Sequence, residues 1–198
     1  MIKYILPLFL ASCVSAQITE DAVCDSQQIS WQIPNLPSVP EINTPVDGIS
    51  FTIPPVSKAI SFDFSGDLNK ISSITNQLNA TINEMLLDNS NKQLNWVNSF
   101  EVGIAGSTSD TPSIVLLSYT DGSSEEQTIN LLPSLLASSD TILNYFESGP
   151  ITMTITLGNK NGTNIDVATL QQLNNLNGQV NAGFNVCMSV SAKISKSL

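Results

Sequence analysis

Two segments of this chain alternate strictly between apolar and polar residues, and that pattern constrains the fold more than any other feature. Ile151, Met153, Ile155 and Leu157 alternate with Thr152, Thr154 and Thr156. Phe184, Val186, Met188, Val190 and Ala192 alternate with Asn185, Cys187, Ser189 and Ser191. Successive side chains of a strand point to opposite faces, so such a segment has one dry face and one wet face. Shorter versions recur at Ile29, Trp31 and Ile33, at Ile60, Phe62 and Phe64, and at Phe100, Val102 and Ile104. Ile114 to Tyr119 is an apolar run of strand length. Several short strands with Thr and Ser on the wet side predict a mainly β protein. The expected fold is an antiparallel two-sheet β-sandwich, immunoglobulin-like in general architecture, with one or two short helices.

Turn chemistry suggests how some strands connect. Asp121-Gly122 predicts a hairpin joining Ile114–Tyr119 to Gln127–Leu131. Asn161-Gly162 predicts a second reversal, after which Ile165 and Val167 resume. Leu170, Leu173 and Leu176 lie three apart, the spacing of one or two helical turns. Asp140 is placed to cap another turn within 133–146. Residues 68–87 are ambiguous, because Ile71, Ile74, Leu78, Ile82 and Met85 have helical spacing while Leu78, Ala80 and Ile82 alternate. The reading is a short helix or turn leading into a strand at about 78–86. Pro34, Pro37, Pro40 and Pro45 exclude helix and central strand, so this stretch reads as an extended strap.

The N-terminus carries Lys3, an apolar run from Ile5 to Ala11, and then the small residues Ser12 to Ala16. That is the order of a secretory signal peptide. The run is shorter than the ~20 residues needed to span a bilayer. Val14-Ser15-Ala16 before Gln17 places cleavage after Ala16. The expected organisation is therefore a signal peptide at 1–16, an N-terminal strand and Pro-rich strap at 17–48, and the sandwich at 49–198. Residues 17–198 are expected to form one folded unit. A leader ending in Ser-Ala before Gln resembles fungal secretory leaders. Leu10-Ala11-Ser12-Cys13 resembles the lipobox of bacterial lipoproteins, which implies lipidation at Cys13 and an envelope anchor. Lys193 and Lys196 near the C-terminus argue against a GPI signal.

Charge narrows the range of partners. The chain has 7 Lys+Arg, all of them Lys, against 17 Asp+Glu. Its net charge is −10, and loss of Lys3 with the leader makes it one unit more negative. With a pI of about 4.1 and no basic stripe, nucleic acid and anionic membrane surfaces are not expected partners. Charged residues are only 12% of the chain, about half the usual share, so solubility rests on Ser, Thr, Asn and Gln. Such neutral polar surfaces suit an extracellular protein. Cys24 and Cys187 are expected to bridge in an oxidising compartment, on an edge or outer face because Cys187 has polar parity.

The sequence holds no His and no Arg. That removes the usual general base, His-dependent hydrolytic triads, His-ligated metals and bidentate anion clamps. No catalytic, cofactor or metal residue is expected. Carboxylate pairs such as Asp63 with Asp67, or Glu125 with Glu126, could hydrolyse glycosides, but solvated acidic turns explain them more simply. The same holds for Asp121 to Glu126 as a Ca²⁺ loop, which lacks EF-hand spacing. Ser57-Lys58 and Ser195-Lys196 are adjacent, so on strands they point apart. Trp96 and Val97 read as a core anchor at a strand entrance, with an exposed binding spot as the rival.

Asn161-Gly162-Thr163 and Asn79-Ala80-Thr81 match the N-glycosylation acceptor pattern, with Asn161 the better placed. The expected function is that of a secreted, non-catalytic protein at a cell surface, wall or matrix, with a structural, adhesion or interaction role. The expected partner is an extracellular protein or a polysaccharide. The alternatives are a carrier of a small apolar ligand between the sheets, a bacterial envelope lipoprotein, and a carboxylate-based glycoside hydrolase.

Overall fold

The computed structural model describes residues 14–19, 23–38, 49–63, 78–120, 126–132, 143–145, 147 and 149–196. The strands in chain order are β1 (Val14–Thr19), β2 (Val23–Gln32), β3 (Phe51–Ile53), β4 (Val56–Phe62), β5 (Leu78–Asp88), β6 (Ser99–Ala105), β7 (Ile114–Thr120), β8 (Thr128–Asn130), β9 (Ile151–Leu157), β10 (Thr163–Ile165) and β11 (Gln179–Lys196). Helix α1 (Val167–Asn175) precedes β11, and residues 143–145 and 147 are also helical. The protein is mainly β, and all its strand pairs are antiparallel.

The front sheet is organised by the 18-residue β11. β5 lies along one edge of β11, paired from Gly183↔Asp88 to Ala192↔Leu78. β2 and then β1 lie along the other edge, from Gln179↔Gln32 to Met188↔Val23 and from Ser191↔Thr19 to Lys196↔Val14. β8 extends the sheet beyond β5. The back sheet has the order β4-β9-β6-β7. A short third ladder joins β10 to β3.

The alternating pattern sets which residues the sheets enclose. β11 buries Val180, Ala182, Phe184, Val186 and Met188, while β9 buries Ile151, Met153, Ile155 and Leu157. Trp31, Phe62, Phe100 and Phe184 are almost fully buried between them. Phe62 and Phe184 meet edge to face with centroids 6.1 Å apart. The Trp31 indole N–H donates to the Ile155 carbonyl at 3.2 Å, so the largest core side chain also links the two sheets through a satisfied polar group. Gln27 Nε2 bonds the Ser61 carbonyl at 3.0 Å and closes the same side of the sandwich.

α1 begins where Asp166 accepts a hydrogen bond from Thr169 N at 2.8 Å. That bond satisfies one orphan donor of the first turn and holds the Asp166 carboxyl below the ordinary carboxylate range. Leu170 and Leu173 are the buried face of the helix. Gly178, at φ 73°, ends the helix and turns the chain into β11. Its N–H bonds the Leu173 carbonyl, and a Cβ there would lie 2.8 Å from the Ile33 carbonyl oxygen.

Two expected hairpins are replaced by crossings between sheets. Ile114–Thr120 pairs with β6, but Thr128–Asn130 pairs with β5 in the front sheet. Ile129 and Leu131 are buried there, and Leu131 N bonds the Met85 carbonyl, so burial on the front sheet prevails over the local turn signal. Asn161-Gly162 likewise is not a hairpin tip. β10 leaves β9 and pairs with β3, and Val167 starts α1 rather than continuing a strand. The ambiguous segment resolves as strand from Leu78 onward, while 68–77, Asp140 and most of the Pro-rich strap lie outside the described residues.

Cys24 and Cys187 face each other in the β2–β11 register and form a disulfide, with Cα atoms 4.0 Å apart. As parity predicts, the bridge lies on the outer face, beside Glu84. It spans 163 residues, so in the loop-entropy model it contributes about 3–5 kcal/mol. Replacing both cysteines with Ser is expected to lower unfolding free energy by about that amount. Urea denaturation of the oxidised protein and the double variant measures it.

Candidate functional site

The outer face of the back sheet is built almost wholly from small residues. The register puts Ser57, Thr156, Glu101 and Ser118 in one row across all four strands. The next row toward the chain turns holds Ser99 opposite Thr120. Short side chains on adjacent strands leave a trough rather than a ridge. It measures ≈ 460 Å³, within the range of small-molecule sites.

Gly158, Asn159 and Lys160 close one end of the trough, with Pro55 beside them. This end forms because β4 and β9 stop pairing together. Pro54-Pro55 ends one ladder, and Gly158, at φ 83°, turns the other chain away toward β10. Gly158 N–H bonds the Ser99 carbonyl at 2.8 Å, which fixes the turn against the start of β6.

Hydrogen bonding sets this end apart. Four polar residues are buried among the described residues: Asn89, Ser99, Thr111 and Thr163. Asn89 is fully satisfied, since its side chain bonds Asn95, the Glu126 carbonyl and Leu94 N. Thr111 bonds Thr108. Among the described residues, Thr163 Oγ1 is the one buried side-chain polar atom without a hydrogen-bond partner. Ser99 is 7% exposed and lines the trough. Thr163 Oγ1 lies under Gly158, 2.8 Å from where a Cβ on that glycine would sit. A buried hydroxyl without a partner costs about 1–3 kcal/mol, and this one lies beside the end of the groove that Ser99 lines.

The remaining groups there are of mixed kind. Ser57 and Thr156 bond each other through their hydroxyls at 2.8 Å. Glu101 accepts only, Lys160 donates only, and Ser118 and Thr120 can do both. Among the described residues that line the trough, Glu101 is the one acid and Lys160 the one cation.

A second depression, ≈ 320 Å³, lies on the front sheet, where Gly183 sits between Gln28 and Asp88. Its polar groups are largely spoken for. Ser26 bonds Asn185, Asn185 bonds Glu84, and Gln27 bonds Ser61.

The residues expected from sequence do not gather at either groove. Asn161 is exposed, with its N–H bonded to Asn159 Oδ1, and stands two positions from the trough. Asn79 lies within β5, opposite Ser191. Asp63 and Glu126 are exposed, while Cys13, Asp67 and 121–125 lie outside the described residues. Ser57 bonds Thr156. Trp96 is half-buried against the core and Val97 is buried, so together they anchor the entrance to β6. Among the described residues no group of three acids or cysteines is placed to hold a metal, and no helix is long and apolar enough to cross a membrane.

No protein-family model and no curated sequence matches the chain. Among solved structures it is similar to a chain of infectious bursal disease virus strain Gt, at 13% identity and a TM-score of 0.31. That match covers 97% of this chain and 36% of the viral one, so this chain spans about a third of its length. A chain of Desmodium yellow mottle tymovirus matches at 7% identity and a TM-score of 0.28, over 98% and 96% of the two chains. Likeness at this level carries no argument about what the protein does.

Truncation separates structural from free polar groups. Asn89→Ala removes at least three hydrogen bonds and is expected to destabilise the protein by roughly 2–3 kcal/mol. Ser99→Ala removes none and is expected to change stability by less than about 0.5 kcal/mol. Paired urea titrations measure both.

Proposed function

We propose that this protein is exported and acts outside the cell as a non-catalytic binding or structural module at a surface, wall or matrix. The observation that carries this reading is the hydroxyl-lined outer face, where Glu101 is the one acid among the described lining residues and Ser99 faces the trough. Glycoside hydrolysis typically uses two carboxyl groups across the scissile bond, and among the described residues Glu101 is the one carboxylate lining the trough. The disulfide supports an oxidising compartment. Large aromatic side chains fill the space between the sheets, which favours a surface role over carriage of an apolar ligand.

The leader supports export by cleavage after Ala16. Such cleavage removes Val14–Ala16 and leaves Gln17, Ile18 and Thr19 paired with Lys193, Ala192 and Ser191. In a host that glycosylates, Asn161 is the preferred acceptor, because it is exposed in a turn while Asn79 lies in a paired strand.

The experiment is mass spectrometry of the protein recovered from its native source. The expected result is an N-terminus at Gln17, free or cyclised, with any glycan on Asn161. A chain beginning at an acylated Cys13 contradicts export in soluble form and favours the lipoprotein reading. A chain retaining Met1 contradicts processing altogether.

A further inference from the structure

We propose that the back-sheet trough binds a neutral saccharide, with Ser99 as a direct contact. This deepens the reading of the protein as a binding module and rests on it for the trough's role. Ser99 is the residue that points to a ligand here. Ser99 is more than nine-tenths buried, faces the trough and bonds no described residue through its hydroxyl, which a molecule in the trough can reach. Thr163 lies directly beneath the same end of the floor. A folded protein satisfies nearly all such groups, as Asn89 and Thr111 illustrate here. A ligand presenting its own donors and acceptors over Ser99 would replace the water that otherwise bonds its hydroxyl.

The other groups define the ligand's chemistry. Ser118 and Thr120 offer hydroxyls that both donate and accept, Glu101 accepts, and Lys160 donates. The two opposite charges cancel, so the trough does not select for an ion. A ligand with many hydroxyls, each donor and acceptor at once, matches this set, and a saccharide has that composition. The size also fits, since ≈ 460 Å³ is ample for a sugar ring but small for a folded partner. Among the described residues no aromatic side chain lines the trough, so binding rests on hydrogen bonds exchanged with water and should be weak.

Two sources could supply this ligand. One is an external glycan. The other is a glycan carried on Asn161, two residues from Asn159 at the rim.

The test uses the mature chain, oxidised and made without glycosylation, labelled for NMR. Maltotriose, cellotriose, laminaritriose and mannotriose are each titrated to about 10 mM, which nearly saturates a site with a Kd of about 1 mM. At least one is expected to shift the amides of Ser99, Glu101, Ser118 and Gly158 to Lys160 in a saturable way. Ser99→Ala should weaken that binding roughly threefold to tenfold. Ser118→Arg, which fills the trough from an exposed position, should abolish it. Spectra of each variant establish that it is folded. If a variant is not folded, the wild-type shift map alone decides. No shift with any of the four sugars overturns the proposal, as do shifts confined to the front sheet or affinity unchanged in Ser118→Arg. The same titration on protein glycosylated at Asn161 separates the sources. Binding that appears only after the glycan is trimmed assigns the trough to the protein's own glycan, and unchanged binding assigns it to an external one. Because the assay uses purified chain, it is independent of whether the leader is cleaved as proposed.

Discussion

The double pairing of β11 is the constraint on which the rest of the structure depends. From Gly183 to Met188 this strand is bonded to β2 on one edge and β5 on the other, while Phe184, Val186 and Met188 enter the core. Its partners lie about 100 and 160 residues earlier in the chain. Such contacts carry a large loop-closure cost and form only when burial rewards them at once. The Cys24–Cys187 bridge falls in the same register and reduces that cost in the unfolded chain. α1 and the Gly178 turn deliver the chain into this position, and Trp31 ties the resulting sheet to β9.

The outer faces follow from the inner ones. The apolar residues that β9 commits to the core alternate with three threonines outside, and β6 and β4 contribute Ser, Glu, Gly and Ala beside them. A face of such short side chains leaves a trough, and Gly158 closes one end of it where a Cβ would lie 2.8 Å from Thr163 Oγ1. Charge is sparse on this surface. Where a charge has inward parity, as Lys58 opposite Ile155 on edge strand β4, it is exposed and disfavours the addition of another strand.

Much of this fold is legible in the sequence, because alternation is local. The strands at Ile151–Leu157 and Phe184–Ala192 are plain from period alone, and the parity of Cys187 places the disulfide on an outer face. Partner choice is not local. Asp121-Gly122 and Asn161-Gly162 carry hairpin chemistry, yet the strands that follow them cross to other ladders, where Ile129 and Ile165 find burial. The candidate groove was hidden for the same reason. Ser57, Ser99, Ser118 and Thr156 are unremarkable residues until register sets them side by side, and an unpartnered hydroxyl has no signature in the sequence.

Native-state hydrogen exchange across Phe184 to Cys187 tests the central role of β11 most directly. Consecutive amides of a strand point to opposite edges. With β2 and β5 both in place, all of them are bonded, and exchange is expected to require global unfolding at every position. Alternating protection, with every second amide exchanging quickly, would mean that one edge is open and would contradict this account.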